Sequence, residues 1–164
     1  MAGILDARPK VGYFYTGKNH SSFISERIRS IKVSQVKSVP VVVDESTSIY
    51  DSIVLMFLED VGSVFVTNNG LLSGVVSRKD FIKSALGGMD LNKMPIGMIM
   101  TRMPNVVYVK DEDDILEAAV KLIDHEIDSM PVVEEDENGK GYKVIGRITK
   151  TTITRLFVEL GKGQ

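Results

Sequence analysis

The chain has 164 residues, 43% hydrophobic and 26% charged, with a formal net charge of −2. It holds no cysteine and two histidines, which excludes a disulfide framework, thiolate metal sites, a cysteine nucleophile and a histidine-rich metal centre. The length suits one domain or two small ones of about 60–80 residues, and no apolar run reaches the roughly 18–20 residues a membrane span needs.

The charge is spread unevenly. Residues 1–38 carry seven basic and two acidic residues, a sum of +5, so the rest carries −7. The basic residues are scattered, which reads as a solvated face beside a linker; a nucleic-acid arm is the alternative. Residues 10–15 predict a strand between Pro9 and Gly17, and residues 22–29 predict a short helix. Residues 1–9 read like the tail of a helix cut from something longer, so an expressed fragment is expected.

An internal repeat organises the remainder of the chain. Residues 41–53 align with 107–119 at an offset of 66, and 62–66 align with 128–132. Gly74 then matches Gly146 at an offset of 72, the six extra residues lying in the polar stretch 134–141. In chain order, a strand at 41–43 leads to a helix capped by Ser46, Thr47 or Ser48, with an apolar face of Ile49, Ile53, Met56 and Phe57. Strands at 64–67 and 72–76 come next, joined through Asn68-Asn69-Gly70, whose Asn-Gly pair tolerates positive φ. A helix at 78–86 closes the repeat, and 87–95 reads as a linker. The second copy runs as a strand at 106–109 and a helix capped by Asp111, Asp113 or Asp114, with Ile115, Ala119, Leu122 and Ile123 on its apolar face. Strands at 130–134 and 143–148 and a helix at 151–161 complete it. The fold class is α+β (α/β): two β-α-β-β-α repeats, each marginal alone at about 60 residues, packed with pseudo-two-fold symmetry. The expected domains are a leader at 1–30, repeat one at 31–88 and repeat two at 89–164.

One motif carries chemistry. Gly74-Val75-Val76-Ser77-Arg78-Lys79-Asp80 sits at a strand-to-helix junction. The first turn of a helix has unpaired N–H groups and partial positive charge, which suits a phosphate. Ser77 can add a hydroxyl, and the Asp80 carboxylate can accept from two vicinal ribose hydroxyls. The plainer alternative is that Ser77 and Asp80 form a capping box.

Other candidates are weaker. The acidic run 111–114 reads as a helix cap rather than a metal site. His20 reads as solvated, and His125 as a cation near a helix end. Met89, Met94, Met98, Met100 and Met103 read as flexible filler at a domain seam, or as an adaptable wall for an adenine. There is no Ser/His/Asp triad, no Walker loop and no marked acid–base pair.

Taken with the repeat, the motif at 74–80 and the Ser129-Met130-Pro131-Val132-Val133 strand, residues 31–160 resemble a tandem pair of cystathionine-β-synthase (CBS) domains, a Bateman module. Residues 4–17 are similar to the junction of CcpN-type bacterial transcriptional repressors, between a helix-turn-helix and the CBS pair. The resemblance implies a non-enzymatic, cytoplasmic regulatory module without a catalytic cofactor or metal, its ligand being an adenine nucleotide (ATP, ADP or AMP). It implies a homodimer that meets DNA only through a helix-turn-helix absent from this chain, and no contact with a membrane. The alternative is a structural dimerisation module with vestigial clefts.

The resemblance also implies the site residues. One cleft would use Val75, Ser77, Arg78 and Asp80, walled by Arg102, Asn105, Val107, Ile127, Asp128, Met130 and Pro131. The other would use Ile148, Thr149 and Thr152, faced by Val36, Val39, Val41, Gly62 and Val64. Thr152 stands where the ribose-binding acid belongs and Phe65 where repeat two has Pro131, so the first cleft is expected to be the better nucleotide site and the second to be empty, weak or used for a different part of a ligand. Arg147 and Lys150 would still favour an anion in the second.

Overall fold

The computed structural model describes residues 22–88 and 90–162; the strand expected at 10–15 lies outside them. Helix α1 (Ser22–Ser30) and the single turn α2 (Val33–Val36) precede the repeats. Repeat one is built from β1 (Val42–Asp44), α3 (Ile49–Leu58), β2 (Ser63–Asn68), β3 (Leu71–Ser77) and α4 (Arg78–Leu86). A 3-10 turn (Ile96–Met98) and β4 (Thr101–Arg102) connect it to repeat two, which holds β5 (Val109–Lys110), α5 (Ile115–Asp124), β6 (Ser129–Glu135), β7 (Tyr142–Thr149) and α6 (Lys150–Gly161). One sheet has the order β1-β2-β3-β4 and the other β5-β6-β7. In both, the first strand runs parallel to the second and the next pair is antiparallel, with Val64 opposite Val76 and Met130 opposite Ile148.

The two copies start and stop their first helices by the same devices. Ser48 Oγ accepts from Asp51 N at 3.0 Å, and Asp114 Oδ1 accepts from Glu117 N at 2.7 Å, each satisfying an amide the helix leaves unpaired. Both helices end on an acid in the left-handed region, Asp60 (φ 47°) and Glu126 (φ 52°). The predicted apolar face is partly corrected. Ile49, Ile115 and Leu122 are buried, but Phe57 is 83% exposed and Ile123 69% exposed. The inward stripe runs through Ser52 and Ala118 instead, which turns the residue eight positions on from Ile49 or Ile115 outward.

Each repeat has its own apolar core, and each core contains residues from beyond that repeat's own strands and paired helices. Ile96 and Met100 are buried with Val64, Val76 and Phe81 in repeat one, whereas Val33 is buried with Met130, Ile148 and Leu122 in repeat two. The connecting segment therefore crosses repeat one as β4 on the β3 edge, and residues 31–38 cross repeat two, with Ser38 bridged to Arg147 on β7. The crossings pass over equivalent glycines, Gly74 and Gly146. A third cluster of Phe65, Leu72, Val106 and Val133 joins the halves. The Ser63 and Ser129 hydroxyls, 66 residues apart, hydrogen-bond to each other across the pseudo-two-fold.

Candidate functional site

Between the two sheets lies a cavity of about 1150 Å³ running across the pseudo-two-fold, somewhat above the roughly 300–1,000 Å³ usual for small-molecule sites. Two helices aim their N-termini into it. At α4, Asp80 Oδ2 accepts from Ser77 N at 2.9 Å and from Ser77 Oγ at 2.6 Å. Among the described residues, Asp80 Oδ1 has no hydrogen-bond partner. At α6 the exchange is between two threonines: Thr152 N donates to Thr149 Oγ1 at 3.0 Å, and Thr149 N to Thr152 Oγ1 at 3.3 Å. The two helix caps thus share one design and differ at the third helical residue, a carboxylate against a hydroxyl.

The cavity walls are charged. Arg78, Lys79, Lys83, Arg147, Lys150 and Arg155 line it, alongside Asp60, Asp80, Glu126, Asp128 and Glu159. Asp128 lies between the two helix N-termini. Its carboxyl is held below the ordinary value of 3.8, chiefly by the hydrogen bond from Lys150, with Lys79 and Arg78 adding to the effect and slight desolvation of this exposed side chain opposing it. The Lys150 Nζ to Asp128 Oδ1 distance is 2.9 Å. Because the folded value is depressed, the pair's stabilisation is present at neutral pH and down to the unfolded value. It is lost as pH falls through the folded value. In an NMR titration of the Asp128 side-chain carbonyl, the wild-type midpoint should lie below 3.8, and Lys150→Ala should move it up. An unmoved midpoint would contradict the pairing.

Of the residues expected in the first cleft, Val75, Ser77, Arg78, Asp80, Asn105, Val107, Ile127, Asp128 and Pro131 line the cavity. Arg102 and Met130 do not. Met130 is fully buried in the core of repeat two, and the Arg102 guanidinium donates to the Gly97 carbonyl at 2.6 Å. In the second cleft Val36, Gly62, Thr149 and Thr152 line the cavity. Val64 and Ile148 are fully buried core residues, Val41 packs on the core of repeat one, and Val39 is 81% exposed. The period of two along a strand explains Met130, Val64, Ile148 and Arg102: their immediate neighbours Ser129, Ser63, Thr149 and Thr101 face the cavity in their place. Phe65 is fully buried between the repeats, whereas Pro131 reaches the cavity.

Thr101, Ser129 and the pair Lys83 and Arg155 join the cavity without having been singled out from the sequence. The last two carry a readable signal, since the offset of 72 places one on the other and both are basic. The acidic run at 111–114 acts locally. Asp114 caps α5, Asp113 accepts from Lys110 N at 2.9 Å, and Asp111 pairs with Lys37 at 2.7 Å. Met94 and Met100 pack in the core of repeat one and Met103 in the seam between repeats. Met98 is exposed, and Met89 lies outside the described residues. No described helix is long and apolar enough to cross a membrane.

Comparison with known proteins agrees with this architecture. The family model described as "CBS domain" matches residues 33–87 and 96–159. The chain is 43% identical over its whole length to the transcriptional repressor CcpN of Bacillus subtilis (strain 168), and spans 77% of that protein. Other curated relatives match at 24–31% identity, with this chain spanning only 19–53% of their length. Among solved structures, the CBS domain pair of protein MJ0100, in complex with 5′-methylthioadenosine and S-adenosyl-L-methionine, is 25% identical with a TM-score of 0.66, over 78% of this chain and 96% of that one. CBSX2 in complex with AMP is also 25% identical with a TM-score of 0.66, over 80% and 99%. With both repeats matched by the family model over most of its length, this protein belongs to the CBS-domain family as a tandem pair.

Proposed function

We propose that this chain is the non-enzymatic ligand-sensing module of a cytoplasmic transcriptional repressor. An adenine nucleotide (ATP, ADP or AMP) binds in the cavity between the repeats. It shifts the module between two packings, and a covalently linked helix-turn-helix domain reads that shift. The observation that carries the reading is Asp80, half-buried at the N-terminus of α4, accepting from the cap it shares with Ser77 and opening onto a cavity with six basic side chains. A ribose diol can replace the Ser77 hydroxyl on that carboxylate, which frees the hydroxyl and the helix N-terminus for a phosphate. The nucleoside ligands of the MJ0100 pair and CBSX2 support the ligand class, and CcpN supports the regulatory setting.

The working unit in this reading is a homodimer. Phe57, Leu86, Ile123 and Phe157 lie on the outer faces of four different helices and are all at least 69% exposed, which suits a second copy. The alternative of a dimerisation module with vestigial clefts draws on one fact: the Ser77–Asp80 and Thr149–Thr152 caps are closed on themselves. Thermal melting separates the two. A nucleotide present at about 100 times its Kd should add about 2.7 kcal/mol of stability. A melting point indifferent to ATP, ADP and AMP would favour the vestigial reading.

A further inference from the structure

We infer that the second half of the cavity is a clamp on the segment that follows the leader: a nucleotide bound against Thr149 and Thr152 ties residues 31–38 to repeat two. The inference rests on the proposed binding of a nucleotide in the cavity. Residues 31–38 precede the first strand of repeat one in sequence, yet they dock on repeat two. Val33 is fully buried in that core, and Ile28, Ile31 and Val36 pack beside it. Val33 N donates to Asp113 O at 3.0 Å, Ser34 N to Asp111 O at 3.2 Å and Ile115 N to Ile31 O at 2.9 Å. Ser38 and Arg147 exchange both backbone bonds, at 3.0 and 2.9 Å. Lys37 Nζ grips both oxygens of Asp111 at 2.7 and 2.8 Å. Its stem lies over Gly146, where a Cβ would stand 2.7 Å from Lys37 Cδ.

The same segment walls the cavity through Gln35, Val36 and Ser38, facing Thr149, Lys150 and Thr152. One wall of the second cleft is thus the chain that continues back into α1 and the leader. The corresponding wall of the first cleft, Thr101 to Asn105, comes from the connection between the repeats, anchored at both ends. The two clefts therefore differ as outputs. A nucleotide touching both walls of the second binds only the docked state. It stabilises docking, and docking strengthens its binding by the same factor. Thr152 in place of an acid leaves this the weaker half, so the clamp closes after the first cleft has filled.

Hydrogen exchange on the full chain tests this at the Val33, Ser34 and Ser38 amides, each of which donates across to repeat two. Saturating ATP should slow their exchange about fivefold or more, the lower range of allosteric couplings. Val33→Asp puts a carboxylate into the apolar dock without touching the cavity. It should release the segment and weaken ATP binding in the second cleft about tenfold or more, because only the docked fraction is competent. Should that variant fail to fold, a staple replaces it. Lys32 and Asp114 face each other as a bridged pair with hydrogen bonds on either side, which is close enough for a disulfide. Lys32→Cys with Asp114→Cys introduces the chain's only cysteines; oxidation should abolish the ATP-dependent slowing and reduction restore it. Heat of ATP binding with unchanged exchange at the three amides would overturn the clamp alone. No heat of binding at all would overturn the nucleotide reading and the clamp with it.

Discussion

Replacing Gly74 by alanine should destabilise the protein by about 3 kcal/mol, the upper range for forcing atoms into a packed core, whereas Gly146→Ala should cost about 1 kcal/mol. The two glycines are equivalent in the repeat, and each lies beneath a crossing segment. The difference is in what the new methyl group meets. At Gly74 a Cβ would stand 2.5 Å from Met100 Sδ and 2.7 Å from the Thr101 carbonyl oxygen. Thr101 belongs to β4, where it pairs with Val75 beside the Gly74–Arg102 pair, so its backbone yields only if the strand pairing is disturbed. At Gly146 the nearest atoms all belong to the Lys37 side chain, at 2.7 to 3.1 Å, whose outer stem can swing aside at the cost of its pair with Asp111. Denaturant unfolding of both variants measures the contrast. Equal losses would show that the close approach at Gly74 is not what limits the site. This also gives the first residue of the 74–80 motif a purely architectural role.

Substituting Asp80 by alanine should weaken nucleotide binding about 10- to 100-fold, as loss of a hydrogen bond to a charged group costs about 1.5–3 kcal/mol. The carboxylate also accepts two hydrogen bonds at the start of α4, so the same change should cost about 1 kcal/mol of stability through the lost cap. Asp80→Asn separates the two roles. It keeps one acceptor and the side-chain shape, so it should retain most of the stability and lose a larger part of the affinity. The converse substitution, Thr152→Asp, should add the missing acceptor to the second cleft and raise its affinity. Binding that ignores Asp80→Ala would remove the carboxylate from the site.

Much of the fold is readable because the repeat constrains it twice. Ser48 and Asp114 each precede an apolar helix at the same register, and Asn69-Gly70 adopts the positive φ values a tight hairpin needs, 50° and 79°. The helix at Arg78–Leu86 has the bounds its pattern predicts. The site is legible where the motif lies at a helix N-terminus, as at Ser77, Asp80, Thr149 and Thr152. It is less legible along strands, where a shift of one residue reverses the face. Met130, Val64 and Ile148 belong to the core for that reason, and Ser129 and Thr101 take the cavity. The docking of residues 31–38 on repeat two is hidden altogether. Val33 and Val36 form a single helical turn with too few residues to show a period, and the reason they are apolar lies in a core built from residues between Val109 and Ile148, far along the chain. Phe57 and Ile123 mislead for the opposite reason. They continue an apolar helical pattern but face outward, where the pattern cannot distinguish a core from a surface.

The central claim is that the cavity between the repeats binds an adenine nucleotide through the α4 N-terminus and Asp80. Calorimetric titration of ATP, ADP and AMP into the purified chain, with Asp80→Ala alongside, tests it most directly. The expected result is a binding heat for at least one of the three with a Kd below about 1 mM, a binding free energy stronger than about −4.1 kcal/mol. In the variant this heat should be lost or shifted to at least tenfold higher concentration. No heat from any of the three nucleotides, or equal heats from the wild type and Asp80→Ala, would contradict the claim.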